Sequence, residues 1–446
     1  MGDYTGKAKE LINSIEASIG DEIEINKSGK TFRGLLMPQT GKEKNEYLIL
    51  KLKNGYNIGI KIEEGIKLKK LSKGREPEIN RKGKDIQPNE ENPTVSILGT
   101  GGTVASRIDY KTGAVKPTFS ANEIYSAAPE IAEIANIKAK TICNVLSENM
   151  SPKLWEEIAQ EVANELNSGS EGVVIAHGTD TMGYTASALS FILKNLSDPV
   201  ILVGSQRSSD RPSSDAPLNL AGAVSVATTN LHDVSVVMHG STEDDSCLIH
   251  KGTKVRKCHT SRRDAFQTVN DEPLGLVRNQ SVEFFKDIEK DPSEEKVKVE
   301  GGFEEKVALV KIHPGIKSSQ ISHFIEEDYK GIILEGTGLG HVPENLNSEI
   351  ERAIENGISV GMSSQCIWGR TNMRVYSTGR DLLDIGVYPV EDMLPETAYV
   401  KLMWVLDKTQ EKEEVEKLMK RDLAGEISSR TLTDDYVNPN LSPEGK

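Results

Sequence analysis

Residues 95–106 read VSILGTGGTVAS. A short strand-like run passes straight into three glycines and two threonines. Glycine removes the side chains that would hide such a turn, and its tolerance of positive φ allows the chain to bend sharply. The hydroxyls are therefore left at the tip of a buried strand. Three uses stand open: a phosphate cradle, a tight turn of no further consequence, or a presented nucleophile. The first is the weakest, because the spaced third glycine of a dinucleotide fingerprint and the lysine of a P-loop are both missing.

The 446 residues are too many for one ordinary domain. A hydrophobic fraction of 37% supports real cores. The net charge of -14 argues against a surface that coats nucleic acid as a whole, while leaving room for a local basic patch. Cys143, Cys247, Cys258 and Cys366 are scattered without a CxxC pair, as reduced thiols would be, rather than a disulfide framework or zinc site. No apolar run approaches the roughly 18 residues of a membrane span, and MGDYTGKAKE lacks a signal peptide's apolar core. A cytoplasmic protein without a membrane partner is expected.

Outward from the quoted stretch, the chain changes character. Before it, DEIEIN, KTFRGLLMP, EYLILKL, GYNIGIKI and GIKLKKL are five strand-like bursts separated by turn residues. They predict a small SH3-like or Tudor-like β-barrel over residues 1–75, followed by a polar linker over 76–92. After it, apolar strands (GVVIAHG, PVILVGS, VSVVMHG) alternate with helical stretches such as SPKLWEEIAQEVANELNS. That pattern predicts an α/β class with a parallel sheet covered on both faces. The expected units are a large α/β domain over 93–285, a linker over 286–302, and a smaller α/β domain over 303–446. The Glu- and Lys-rich tail, from about Asp407 to Arg421, reads as a solvated helical face.

A second strand end bears threonines: His177, Gly178, Thr179, Asp180 and Thr181. In an open parallel sheet, ligands gather at the carboxyl ends of strands where the chain order reverses. Both motifs could therefore face one crevice. Taken singly, each residue has a plainer reading. Thr179 and Asp180 could cap a helix, Lys257 could be a surface lysine, and Tyr110 a packing residue. His177 reads as a structural histidine rather than a base, and Cys258 has no partner that would make it a nucleophile.

Together, LGTGGTVAS, DYKTGAV, LSENM, AHGTDTMGYTA, RPSSDAPLNL, RKCHTSRRDAF and SSQCIWGRTN occur in the order of the bacterial-type L-asparaginase family, and from about residue 94 to about 400 the chain resembles it. The resemblance implies a two-domain amidohydrolase that releases ammonia from a carboxamide. It places the nucleophile at Thr103 beside Tyr110, the second threonine and its aspartate at Thr179 and Asp180, and the lysine of the triad at Lys257. Ser147 and Asp180 would hold the substrate's α-carboxylate and α-amino groups. Glu148 stands where many asparaginases have glutamine, a departure that bears on substrate ammonium recognition and side-chain length.

The chemistry also stands without the resemblance. A hydroxyl cleaves an amide only when it is activated and the oxyanion is held. Thr103 would attack, glycine-flanked backbone N–H groups would hold the oxyanion, and Thr179, Lys257 and Asp180 would relay protons as water cleaves the acyl-enzyme. A lysine at about pKa 10.4 is neutral in only about one molecule in 2,500 at pH 7. Either desolvation lowers that value or Lys257 polarises Thr179 without acting as a free base.

About 90 residues precede the region that resembles asparaginases, and residues 61–84 are basic in an otherwise acidic chain. An RNA or protein docking edge and a lysine-rich edge strand that prevents aggregation both fit. The whole arrangement resembles the GatD family of archaeal glutamyl-tRNA(Gln) amidotransferases. That implies a glutaminase that supplies ammonia to GatE, the amidotransferase partner, which uses ATP and Mg2+ to convert Glu-tRNA(Gln) to Gln-tRNA(Gln). It implies no cofactor and no metal in this chain, a homodimer through the asparaginase-like domains, a heterotetramer with GatE, and tRNA contact mainly through that partner. The alternatives are a free-standing L-asparaginase with an accessory domain, and a catalytically silent RNA-binding scaffold.

Overall fold

A computed structural model describes residues 4–37, 46–52, 57–73, 89–101, 106–108, 115–117, 120–207, 214–288 and 295–431. The five N-terminal bursts form five antiparallel strands: Glu22–Lys27, Lys30–Leu36, Tyr47–Lys51, Asn57–Lys61 and Lys67–Ser72. Their order in space is fourth, third, second, first, fifth. Strand alternation sends Ile23, Ile25, Leu36, Leu48, Leu50 and Ile60 to one interior. A helix that the sequence pattern does not announce, Gly6–Ser14, adds Ala8 and Ile12 to that core. It is pinned by Tyr4, whose hydroxyl donates to the Met37 carbonyl at 2.7 Å and accepts from the Ile49 amide at 2.9 Å.

The described part of the basic run, residues 61–73, includes the edge strand Lys67–Ser72. Lys69 lies opposite Glu24, and Lys70 meets the Asp21 carboxylate at 2.7 Å. These lysines sit against carboxylates on a sheet edge, where charge discourages pairing with another sheet.

The large domain is an eight-stranded sheet. Its order runs Asn136–Thr141, Thr94–Gly99, Val173–Ala176, Val200–Val203, Val234–His239, Cys247–Lys251, Gly275–Arg278, Ser281–Phe284. The first five strands are parallel, as the sequence pattern predicts. The last three are antiparallel, which it does not predict. For Cys247–Lys251 and Ser281–Phe284 the physical reason is connection length: residues 240–246 and 279–280 are too few for a parallel crossover, so the chain turns back on itself. Both faces are buried. Val95, Ile97, Val174, Ala176, Ile201 and Val203 pack under the helix Ala216–Ala227. Leu98, Val173, Ile175, Val200 and Leu202 pack under the helices Pro152–Asn167 and Met182–Ile192.

The smaller domain has four parallel strands, Val307–Lys311, Gly331–Gly336, Ser359–Ser364 and Tyr388–Pro389. Its last long helix, Pro395–Lys408, is where the expectation for the tail fails. With proline in its first turn and Leu402, Met403, Trp404, Val405 and Leu406 all buried, it packs against the helix Met182–Ile192 of the large domain. Trp404 stacks on Phe191 with ring centroids 6.0 Å apart. The chain becomes extended at Thr409, and a second helix, Lys412–Lys420, buries Val415 and Met419. Residues 407–421 are therefore not one solvated helix but the end of a core helix and a half-buried one. One hydrophobic core runs through both domains.

Candidate active site

The chain order of the large sheet reverses at the strand Thr94–Gly99. Its next strand in sequence order among the sheet's members, Asn136–Thr141, lies on one side, and Val173–Ala176 lies on the other. The crevice therefore opens where Gly99 and Ala176 pair in register. Thr100 continues this pairing: its backbone N–H and its hydroxyl both donate to the Ala176 carbonyl at 3.1 Å. Gly101 follows at φ +117, and a Cβ there would run into the Val145 carbonyl oxygen, so only glycine fits. Thr103 and Tyr110 lie outside the described residues.

On the neighbouring strand, His177 is fully buried. Its Nε2 lies 2.9 Å from the Thr185 hydroxyl, which accepts from Trp155 Nε1 at 3.1 Å, and its Nδ1 lies 2.6 Å from the Gly178 carbonyl. The tautomer that satisfies all three contacts carries its proton on Nδ1. Burial pushes its pKa down to about 4. It is a neutral structural histidine, as its place at the strand end suggests.

Thr179 and Asp180 come next, and Lys257 reaches both. Lys257 Nζ donates to Thr179 Oγ1 at 2.8 Å and to Asp180 Oδ1 at 2.8 Å. The lysine side chain is 14% exposed and that of the aspartate 67%. An ion pair so open to water contributes about 0–1 kcal/mol to stability, which makes a purely structural purpose a poor explanation. Lys257 arrives on a hairpin of Val255–Lys257 with Phe266–Thr268, in which it pairs with Phe266. Phe266 is buried beneath it.

Close backbone approach builds the rest. A Cβ on Gly204 would meet the Thr179 methyl and Met182 Cε at 2.7 Å. A Cβ on Gly178 would lie 2.7 Å from Ser147 Cβ and 2.9 Å from its hydroxyl. Ser147 is thus pressed against the turn that carries Thr179, and its carbonyl accepts from the Thr181 hydroxyl at 2.7 Å. Glu148 is next to it in the short turn Ser147–Asn149 and is exposed. The structure thus brings together Thr179, Asp180, Lys257 and Ser147, with Glu148 adjoining. Reading by sequence gives no weight to Gly204 or Thr181. Thr181 was visible within the HGTDT motif, whereas nothing local marks Gly204. Cys258 is exposed, and partial desolvation of its thiol raises its pKa, which keeps it a weak nucleophile. Among the described residues no three His, Cys, Asp or Glu side chains gather as a metal site would, and no helix is long and apolar enough to cross a membrane.

Comparison with known proteins gives the family. Residues 94–290 match the asparaginase N-terminal family, 306–419 the glutaminase/asparaginase C-terminal domain, and 17–71 the GatD N-terminal domain. Among solved structures, the thermostable L-asparaginase from Thermococcus kodakarensis is similar with a TM-score of 0.68 and 32% identity, over 75% of this chain and 99% of that one. L-asparaginase I from Vibrio cholerae gives 0.66 and 29%, over 76% and 99%. Across nearly the whole length, the chain is 53% identical to the D subunit of glutamyl-tRNA(Gln) amidotransferase from Pyrococcus abyssi, over 97% of this chain and all of that one. It is 48% identical to the corresponding protein of Methanopyrus kandleri, over 96% and 95%. With its asparaginase-type amidohydrolase core and its added N-terminal β domain, the chain belongs to the GatD family of glutamyl-tRNA(Gln) amidotransferases.

Proposed function

We propose that this chain hydrolyses the side-chain amide of glutamine and supplies the ammonia to GatE, which amidates Glu-tRNA(Gln) with ATP and Mg2+. The observation that carries the reading is the contact of Lys257 Nζ with Thr179 Oγ1 and Asp180 Oδ1 at the carboxyl edge of the sheet. Thr103, two residues beyond Gly101 in the sequence, attacks the carboxamide carbon, Tyr110 is assigned to the substrate site, and ammonia leaves. Water, activated through Thr179 and the Lys257–Asp180 pair, cleaves the acyl-threonine ester and returns glutamate. Ser147 takes the substrate α-carboxylate, while Asp180 and Glu148 face its ammonium. Preorganised groups of this kind act where charge develops, so each is worth several kcal/mol of barrier, about 3–4 for one oxyanion donor.

The full-length match to GatD proteins, N-terminal domain included, supports the glutaminase over a free asparaginase. A homodimer through the asparaginase-like domains, joined by GatE, gives the working heterotetramer. The test is ammonia release from glutamine and from asparagine, by the chain alone and with GatE, Glu-tRNA(Gln), ATP and Mg2+. Glutamine turnover that rises with the partner and the tRNA is expected. Strong asparagine turnover by the isolated chain, indifferent to both, is the result that removes the reading.

A further inference from the structure

We infer, taking Lys257 in the hydrolytic role proposed above, that Lys254 and Asp392 are a positioning pair that sets where the Lys257 ammonium stands. The hairpin that carries Lys257 has three ladder pairs, Val255 with Thr268, Arg256 with Gln267, and Lys257 with Phe266. A two-stranded ribbon so short is not stable by itself in water. Lys257 sits in the pair farthest from the base, so its place depends on what grips the base.

Asp392, from the smaller domain, grips both legs. On the first leg, Lys254 is 1% exposed and donates its Nζ to Asp392 Oδ2 at 2.7 Å and to the Ser428 hydroxyl at 3.0 Å. On the second leg, Asn270 donates its amide to the Asp392 carbonyl at 2.9 Å and to the Gly369 carbonyl at 3.1 Å, and accepts from the Gly369 amide at 2.7 Å. Ser428 closes the loop. Its amide donates to the Asp392 carboxylate at 3.0 Å, and its hydroxyl donates to the Asn270 carbonyl at 3.1 Å. The Val269 amide donates to the Lys254 carbonyl at 2.9 Å, which joins the two legs directly.

Stability alone does not account for an ion pair in this place. A buried pair is commonly matched or exceeded in stability by apolar residues of similar volume, because desolvation offsets its attraction. What apolar residues lack is direction. Hydrogen bonds between an ammonium, a carboxylate and a hydroxyl fix distances and angles, and a catalytic group displaced by about 1 Å can lose about 100-fold in rate.

The test replaces both charges, Lys254→Met with Asp392→Leu, so that neither is left buried alone, while Arg370, which lies 3.4 Å from the Asp392 carboxylate, keeps Glu391 and the Ser428 carbonyl; Ser428→Ala is made separately. Both full-length variants are assayed for ammonia release from glutamine in the complex with GatE and Glu-tRNA(Gln). For the double variant, a melting temperature close to the parent's, kcat lowered about tenfold or more and KM within about twofold are expected. For Ser428→Ala, a several-fold lower kcat with KM unchanged is expected. Parental kcat in both variants overturns the inference. Lys257→Met, run alongside, tells the two failures apart: an active Lys257→Met removes the hydrolytic role itself, whereas an inactive one beside fully active Lys254→Met/Asp392→Leu and Ser428→Ala removes only the positioning pair.

Discussion

Lys257 Nζ lies 2.8 Å from Thr179 Oγ1, although 78 positions separate the two residues along the chain. A short hairpin delivers the lysine and a strand-end turn delivers the hydroxyl, and neither element carries the other's partner. The contact also includes an exposed carboxylate, so it gives little stability and much polarity where a substrate would lie.

Replacing Lys257 with methionine is expected to lower kcat for glutamine hydrolysis by about 10²–10⁴, the range that a positioned proton-transfer group contributes. The side chain is mostly covered by its surroundings but charged at the tip, so methionine keeps the stem packing. Steady-state kinetics together with a melting curve check this. Lys257→Met with parental kcat contradicts the role.

Asp180→Asn is expected to leave the melting temperature within about 2–3 °C, because a carboxylate 67% exposed contributes about 0–1 kcal/mol through its ion pair. Activity is expected to fall at least 100-fold in kcat/KM, since both the Lys257 contact and the proposed ammonium contact are weakened. Calorimetry and kinetics on the same preparation separate these effects.

Two glycines give opposite kinetic signatures. Gly204→Ala drives a methyl into the Thr179 methyl and Met182 at 2.7 Å, so it is expected to depress kcat. Gly178→Ala pushes on Ser147 at 2.7 Å, so it is expected to raise KM for glutamine about tenfold with a smaller change in kcat. Equal effects on both parameters in both variants would argue against this division of labour.

Acid should destabilise the fold early. His177 and His250 are both fully buried, and burial lowers each pKa from 6.5 to about 4. The unfolded chain then binds more protons than the native one between those values, so stability rises with pH across the window. The contribution is complete above pH 6.5 and is lost as pH falls toward 4. Urea unfolding at pH 7.0 and 5.5 is expected to differ by roughly 1 kcal/mol per histidine, ahead of most carboxylate titration. An unchanged free energy at the two pH values contradicts neutral burial.

Lys401 and Glu426 form an ion pair at 2.5 Å with both side chains fully buried, and the lysine also donates to the Arg421 carbonyl at 2.6 Å. Lys401→Met alone is expected to cost about 3–5 kcal/mol by leaving a lone buried carboxylate, whereas Lys401→Met with Glu426→Met is expected to be far milder. Chemical denaturation of the three proteins measures the difference.

Much of the local structure was legible in the chain. Each of the five N-terminal bursts is a strand, because alternating apolar residues bounded by turn residues leave an extended segment little alternative. The strand ends at Thr100 and His177 were legible too, since short apolar runs of four to six residues that stop at glycine favour buried strands over helices. Asp407 to Arg421 misled for a related reason. Its charged residues describe one face of the half-buried helix Lys412–Lys420, while the burial of Pro395–Lys408 depends on the helix Met182–Ile192, which lies some two hundred residues upstream.

The sequence by itself determined the alternation of strands and helices, the bare glycine turns at two strand ends, and the residue types able to cleave an amide. Tertiary structure alone decided that Lys257 meets Thr179, that Asp392 and Ser428 hold the base of its hairpin, and that helices from two domains share one core. The physical reason is range. Backbone preference and apolar period act over a few residues, whereas Lys257 meets Thr179 from 78 positions away and Lys254 meets Ser428 from 174, and no local pattern encodes that company.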